Sequence, residues 1–139
     1  MNLQFRQLES HEGDKFFDLM AIMSKALPEF RRELEDTCYD KRNVSSSIIC
    51  EVDGEVVGGA YAPAKQDSIN LYFMSVRPAE RQKGIGSRLL TFLEESAKNS
   101  QSGKVKVFAR DDKIVAWYQD RGYILQDDGK LVLSKDVKE

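Results

Sequence analysis

The chain has 139 residues, a length suited to one domain around one buried core. Hydrophobic residues make up 41% and charged ones 32%, and a net charge of −2 excludes the basic footprint of a nucleic-acid binder. No apolar run approaches the roughly 20 residues that span a bilayer. The N-terminal Met1-Asn2-Leu3-Gln4-Phe5-Arg6 lacks the apolar core of a signal peptide, so a cytoplasmic protein is expected.

Leu3 to Leu8 alternates imperfectly between apolar and polar residues and reads as a first strand. His11, the lone histidine, sits among polar residues at the start of the next element, a surface position. Phe16, Phe17, Leu19, Met20, Ile22, Met23 and Leu27 then recur at helical spacing, with Ser10 as the expected cap. Pro28 interrupts that pattern, and a second short helix is expected from there to about Asp36. Its run Arg31-Arg32-Glu33-Leu34-Glu35-Asp36 reads as a solvated face. Cys38 and Cys50 have neither metal-ligand nor redox spacing and read as reduced, partly buried thiols.

Ser46 to Val52 is rich in β-branched residues and ends at Asp53-Gly54, a two-residue hairpin signal with Glu55 to Ala62 returning. Gly58-Gly59 inside that return predicts a bulge or a close backbone approach. Ile69 to Val76 is apolar on both faces and reads as one central strand. A glycine-rich turn follows, then a helix with Ile85, Leu89, Leu90, Leu93 and Ala97 on one face. Lys104 to Ala109 is a strand, Asp111 to Arg121 a short helix stopped by Gly122, and Tyr123 to Gln126 with Lys130 to Ser134 a terminal hairpin across Asp127-Asp128-Gly129. The order β-α-α-β-β-β-α-β-α-β-β predicts an α/β (α+β) fold: one mixed sheet flanked by helices, in a single domain over residues 1–139. The terminal hairpin permits dimerisation without demanding it.

The turn reads Val76-Arg77-Pro78-Ala79-Glu80-Arg81-Gln82-Lys83-Gly84-Ile85-Gly86-Ser87-Arg88. A strand ends and a helix begins within it, so free N–H groups and the helix dipole converge on one point. Gly84 and Gly86 remove the Cβ atoms that would keep a phosphate from the backbone, and Arg81, Lys83 and Arg88 add positive charge. A pyrophosphate suits this site. A nucleotide P-loop would need Gly-Lys-Ser/Thr, where Gly86 is followed by Ser87-Arg88. A dinucleotide fingerprint would need glycine at Leu89 and an acidic residue where the next strand ends in Arg110.

Arg-x-x-Gly-x-Gly after a strand ending in Val-x-Pro resembles the coenzyme A signature of the GNAT superfamily of acetyltransferases. The segment 110–123 is similar to that superfamily's second signature, with Tyr118 at the tyrosine position, Gly122-Tyr123 in place of Gly-Phe, and Asp111 in place of the asparagine. The resemblance implies acetyl-CoA as cosubstrate, with no metal, and an amine as acceptor. By resemblance, Met74, Ser75 and Val76 bind the pantetheine arm and polarise the acetyl carbonyl through main chain. Arg81, Gln82, Lys83, Gly84, Ile85, Gly86 and Ser87 hold the pyrophosphate, and Asp111 and Tyr118 complete the cofactor side. Tyr118 would protonate the departing thiolate, whereas Trp117 reads as a packing aromatic.

Cys38-Tyr39-Asp40-Lys41-Arg42, Val56-Val57-Gly58-Gly59 and Ala62-Pro63 look like the histone acetyltransferase core, over about residues 28–126. This makes a protein lysine the first expected acceptor, in a nuclear setting if that acceptor is a histone, with a small-molecule amine as the alternative. That branch carries a catalytic glutamate where this chain has Asn70, and phenylalanine where it has Tyr118. Asn70 can orient a water but accepts no proton at neutral pH. Asp67 and Tyr72, or a water wire to Glu51 or Glu55, remain candidates for the base. Without a carboxylate at position 70, a non-catalytic coenzyme A sensor is the rival reading. A nucleotide-binding module using the same turn is a third.

Overall fold

A computed structural model describes residues 2–100, 102–126 and 131–137. Strand β1 (Leu3–Gln7) leads into helix α1 (Gly13–Ala26), then a 3-10 turn at Pro28–Phe30 and helix α2 (Arg31–Cys38). After a second 3-10 turn (Lys41–Ser46) come β2 (Ser47–Val52), β3 (Glu55–Tyr61), β4 (Ile69–Leu71) and β5 (Phe73–Val76). The rest of the chain gives α3 (Ile85–Lys98), β6 (Lys104–Phe108), α4 (Asp112–Gln119), β7 (Ile124–Leu125) and β8 (Val132–Asp136). Among the described residues no helix is long and apolar enough to cross a membrane. The turn expected at Asp127-Asp128-Gly129 lies outside the described residues, but its two strands pair antiparallel as foreseen.

Two sequence signals act locally as their chemistry dictates. Asp53 and Gly54 both take positive φ, 51° and 81°, the primed turn whose twist matches that of β2 and β3. The double glycine lies where β3 is pressed from both sides. A Cβ on Gly59 would sit 2.3 Å from the Ile48 carbonyl oxygen, and one on Gly58 2.8 Å from that of Ser75. The bulge of this pairing falls beside it, between Cys50 and Glu51.

Two expectations need correction. Ser10 does not cap α1, which begins at Gly13 after Glu12. Glu12 instead accepts the Glu9 N–H at 3.0 Å and both Nη groups of Arg6 at 2.7 Å, fixing the turn without the serine. Nor is Ile69–Val76 one strand of one sheet. It divides at Tyr72, and the hydrogen bonding forms two four-stranded ladders, β1-β2-β3-β5 and β4-β6-β8-β7. Tyr72 turns its ring onto Phe108, 4.7 Å between centroids, while its N–H remains bonded to Tyr61 of the first sheet. One stretch, apolar on both faces, therefore serves two partners: β4 lies parallel to β6, and β5 leaves it to pair with β3.

The core lies on both faces of this divided sheet. Helix α1 buries Phe16, Leu19, Met20 and Met23 with Ile49, Val56 and Phe73. On the other face α3 and α4 bury Ile85, Leu89, Leu93, Val115 and Tyr118 against Val57, Leu71, Val105, Val107 and Leu133. Each fully buried Leu or Ile contributes roughly 1.5–3 kcal/mol relative to exposure. The outcome for the site is geometric. Among the described residues no strand pairs with the far edge of β5, and α3 and α4 close around that gap.

Candidate active site

Past Val76 the chain makes a 3-10 turn at Pro78–Glu80 and then two left-handed residues, Gln82 at φ 68° and Gly84 at φ 75°. Gly84 is the N-cap of α3 and has no side chain to cap it. The first helical bond runs from the Arg88 N–H to the Gly84 carbonyl at 3.1 Å. The amides of Ile85, Gly86 and Ser87 precede it and have no helical acceptor to meet. A Cβ at Gly84 would meet nothing within 4 Å, and one at Gly86 only Trp117, at 3.8 Å. Space therefore lies open against the backbone at the positive end of the helix.

These amides line a cleft of about 520 Å³. Met74, Ser75 and Val76 form one wall, and Arg81, Gln82, Gly84, Ile85, Gly86 and Ser87 the floor. Trp117 and Arg121 close it from α4, and Ala26 and Leu27 from the end of α1. The cleft is cationic in balance. Its one carboxylate among the described residues, Glu80, gives both oxygens to Arg77 at 2.9 and 2.8 Å, which holds the acid below its ordinary range. Arg81 is fixed by donation from Nε to the Val76 carbonyl at 2.9 Å.

Three residues expected on the cofactor side stand apart from this lining. Lys83 is exposed beyond it. Asp111 caps α4, accepting the Ile114 N–H at 3.0 Å. Arg88 faces away, its guanidinium 4.4 Å from the Phe5 ring centroid.

Beyond Met74 and Leu27, which belong to both, a narrower recess of about 50 Å³ enters the gap between β5 and β6. Tyr118 is in its wall with Tyr72, Phe108, Arg110 and Ile114. Only 4% exposed, Tyr118 meets Trp117 and Tyr123 edge-on at 4.9 and 5.6 Å. Burial pushes its phenol well above the ordinary range, against a smaller downward pull from Arg121. The hydroxyl therefore keeps its proton at neutral pH.

Asn70 lies outside both recesses. It is buried on β4, its Oδ1 accepting from Ser68 Oγ at 2.7 Å and its Nδ2 reaching Tyr72 Oη at 3.5 Å. Its bond to Tyr72, and its chain neighbour Leu71, connect it to the narrow recess. Glu51 is bound by Arg6 and Lys15, and Glu55 by Arg77; neither lines the recess. Asp67 is exposed and outside it as well.

The model of the acetyltransferase (GNAT) family matches residues 13–123. The chain belongs to that family. Solved GNAT structures superpose over nearly its whole length. The PaiA N-acetyltransferase of Thermoplasma acidophilum, in complex with coenzyme A, is 13% identical with a TM-score of 0.74, covering 98% of this chain and 99% of its own. Ard1 of Thermoplasma volcanium is 16% identical with a TM-score of 0.77, covering 100% of both. Tetrahymena GCN5 is 17% identical with a TM-score of 0.74, covering 99% of this chain and 96% of its own. At these identities the likeness is one of fold.

Within this GNAT domain, two cleft residues escaped the sequence reading. Trp117 packs, as expected, but it also faces the cleft. Arg121 lies over Trp117 at 3.6 Å and donates to Ser87 Oγ at 3.0 Å. Its signal was present: a cation four residues after an aromatic, at the C-terminal end of a short helix, stacks on it and favours the dipole. No group of three or more His, Cys, Asp or Glu is placed to hold a metal ion among the described residues.

Proposed function

We propose that this chain acts as a single N-acetyltransferase domain, moving an acetyl group from acetyl-CoA to a primary amine. One observation carries the reading: unpaired helix amides open onto a cleft that runs along the free edge of β5 and narrows toward a buried, protonated Tyr118. Acetyl-CoA supplies the acetyl thioester. The amides of Ile85, Gly86 and Ser87 hold the pyrophosphate, with Arg81 and Arg121 offsetting its charge. The open backbone around Gly84 and Gly86 fits a phosphate, since no Cβ stands in its way.

The unpaired edge of β5 gives the main chain of Met74, Ser75 and Val76 to the pantetheine arm and the acetyl carbonyl. As the amine nitrogen bonds to the acetyl carbon, the carbon–sulfur bond breaks. The Tyr118 hydroxyl donates a hydrogen bond or its proton to the departing thiolate sulfur, and the proton lost by the amine passes to water. Asn70 cannot take that proton, and its amide oxygen is committed to Ser68. Its amide nitrogen reaches the recess through the Tyr72 hydroxyl.

The same commitment favours a second reading, a coenzyme A sensor that does not turn over. Following thiol release from acetyl-CoA with a mixed amine panel separates the two. Amine-dependent release supports the transferase. Binding without release supports the sensor, and absence of binding removes both.

A further inference from the structure

Arg110, just past β6, is a cation to which the transfer chemistry gives no task. Its guanidinium lies over two mutually tilted rings, the central carbon 4.7 Å from the Phe30 centroid and 4.4 Å from that of Phe73, whose centroids are 6.4 Å apart. Nη2 donates to the Tyr72 carbonyl at 3.2 Å. Nε is buried and, among the described residues, is the one such side-chain nitrogen or oxygen without a hydrogen-bond partner. The ion-pair partner, Glu33 of α2, stays 3.8 Å from Nη1, beyond hydrogen-bond distance, and is itself 58% exposed. A guanidinium only 23% exposed thus lacks a carboxylate bonded to its fork. It also walls the recess that contains Tyr118.

We propose that Arg110 binds a carboxylate carried by the acceptor, so that the amines acetylated are small amino-carboxylates. The inference rests on the acetyl-transfer reading and deepens it. Arginine donates from a fixed planar fork, and the two rings hold that fork in place before a ligand arrives. A carboxylate at Nη1 makes the charged hydrogen bond that Glu33 leaves unmade. The recess is small, so a short molecule with its amine a few bonds from its carboxylate can bring both to the wall shared by Arg110 and Tyr118. Lys106, the register partner of Asn70, is a second positive charge, on the strand that leads to Arg110. A lysine-rich tail would bring like charge to both; a carboxylate offsets it.

The test compares acceptors in pairs that differ by the carboxylate: glycine with glycinamide, γ-aminobutyrate with butylamine, lysine with cadaverine. An acidic and a basic lysine-containing peptide complete the panel. In the wild type, kcat/KM should favour the carboxylated member by roughly tenfold or more, the worth of a hydrogen bond to a charged group. Arg110→Met, whose thioether can pack against Phe30 and Phe73, should bring the ratio near one, and Arg110→Lys should keep part of it. Equal rates within each pair, a preference that survives Arg110→Met, or faster turnover of the basic peptide would overturn the proposal. A preference for the acidic peptide over the free amino acids would overturn the small-molecule assignment.

Acetyl-CoA titrations of each variant show whether its cleft is intact, and Arg110→Lys decides if Arg110→Met fails to fold. If the wild type binds acetyl-CoA without turnover, the transfer reading fails first. Calorimetry of γ-aminobutyrate on the acetyl-CoA-loaded protein then decides this one: binding lost in Arg110→Met supports it, and no binding to the wild type overturns it.

Discussion

Arg121 lies flat on Trp117, its guanidinium carbon 3.6 Å from the ring centroid, while its Nη2 donates to Ser87 Oγ at 3.0 Å. The contact ties the last turn of α4 to the first turn of α3, where the unpaired amides lie. Nη1 also donates to the Trp117 carbonyl at 2.9 Å, and a stacked cation with such hydrogen bonds is worth roughly 1–2 kcal/mol. Arg121→Ala should therefore lower stability by about that amount and weaken acetyl-CoA binding roughly tenfold, the equivalent of 1.4 kcal/mol. Arg121→Lys should fall between, keeping the charge without the fork. Denaturant melts and calorimetry check both quantities; unchanged affinity would show that the cleft forms without this tie.

Tyr118→Phe removes one oxygen from a buried site and leaves the aromatic packing. Loss of a positioned proton donor should lower kcat about a hundredfold, with the dissociation constant of acetyl-CoA nearly unchanged. Stopped-flow and titration separate the two, and equal turnover would return Tyr118 to a packing role. The pH dependence has a definite sign. Burial raises the phenols of Tyr118 and Tyr123 above their ordinary value of 10.0, so both are neutral in the fold. Their contribution to stability is fully present below pH 10 and is lost as pH climbs further. Melts at rising alkaline pH should show a smaller loss for Tyr118→Phe than for the wild type.

Gly59→Ala would place a methyl 2.3 Å from the Ile48 carbonyl and 2.8 Å from Leu19 Cδ1. Backbone on one side and a fully buried leucine on the other leave no direction of relief. The expected loss is roughly 3 kcal/mol or more. Thermal unfolding would reveal it, and a wild-type midpoint would mean that β2 and β3 can separate freely.

Arg6 binds Glu12 through both Nη groups at 2.7 Å and Glu51 through Nε at 2.7 Å. Its hydrogen bonds hold Glu12 down to about 2 and Glu51 below its ordinary value. Depressed acids stabilise the fold above the unfolded value of 4.5 and lose that contribution as pH falls through the folded one. Arg6→Met should thus be less stable than the wild type at pH 7, with the gap shrinking toward pH 2. Urea melts across that range test it; a constant gap would assign Arg6 a packing role instead.

Much of this was legible in the residues because it depends on near neighbours. The Asp53-Gly54 turn, the apolar faces of α1 and α3, and the glycine turn before Ile85 are each set within a dozen residues. The break at Tyr72 was not, because a stretch of eight residues that is apolar on both faces has the same pattern whether it pairs with one neighbour or two. Ser10 was a reasonable cap until Glu12 was drawn to Arg6. Arg110 takes its meaning from Phe30 in the first 3-10 turn and Phe73 on β5, and Arg121 in part from the Ser87 hydroxyl on α3, partners that only the tertiary packing brings near. Asn70 was legible as a departure, but its bond to Ser68 depends on how β4 begins.

The most direct measurement is a calorimetric titration of acetyl-CoA into the wild type and Gly84→Glu, with ATP and NAD as controls. Gly84→Asn serves as the control for backbone strain, since asparagine tolerates the left-handed region. A Cβ at position 84 meets no neighbouring atom, so loss of binding in Gly84→Glu reports charge at the helix start rather than a clash. The wild type should bind acetyl-CoA in preference to both nucleotides, Gly84→Asn should retain most of that affinity, and Gly84→Glu should lose it. Wild-type affinity in Gly84→Glu, or no selective binding by the wild type, would contradict the assignment of this cleft to acetyl-CoA.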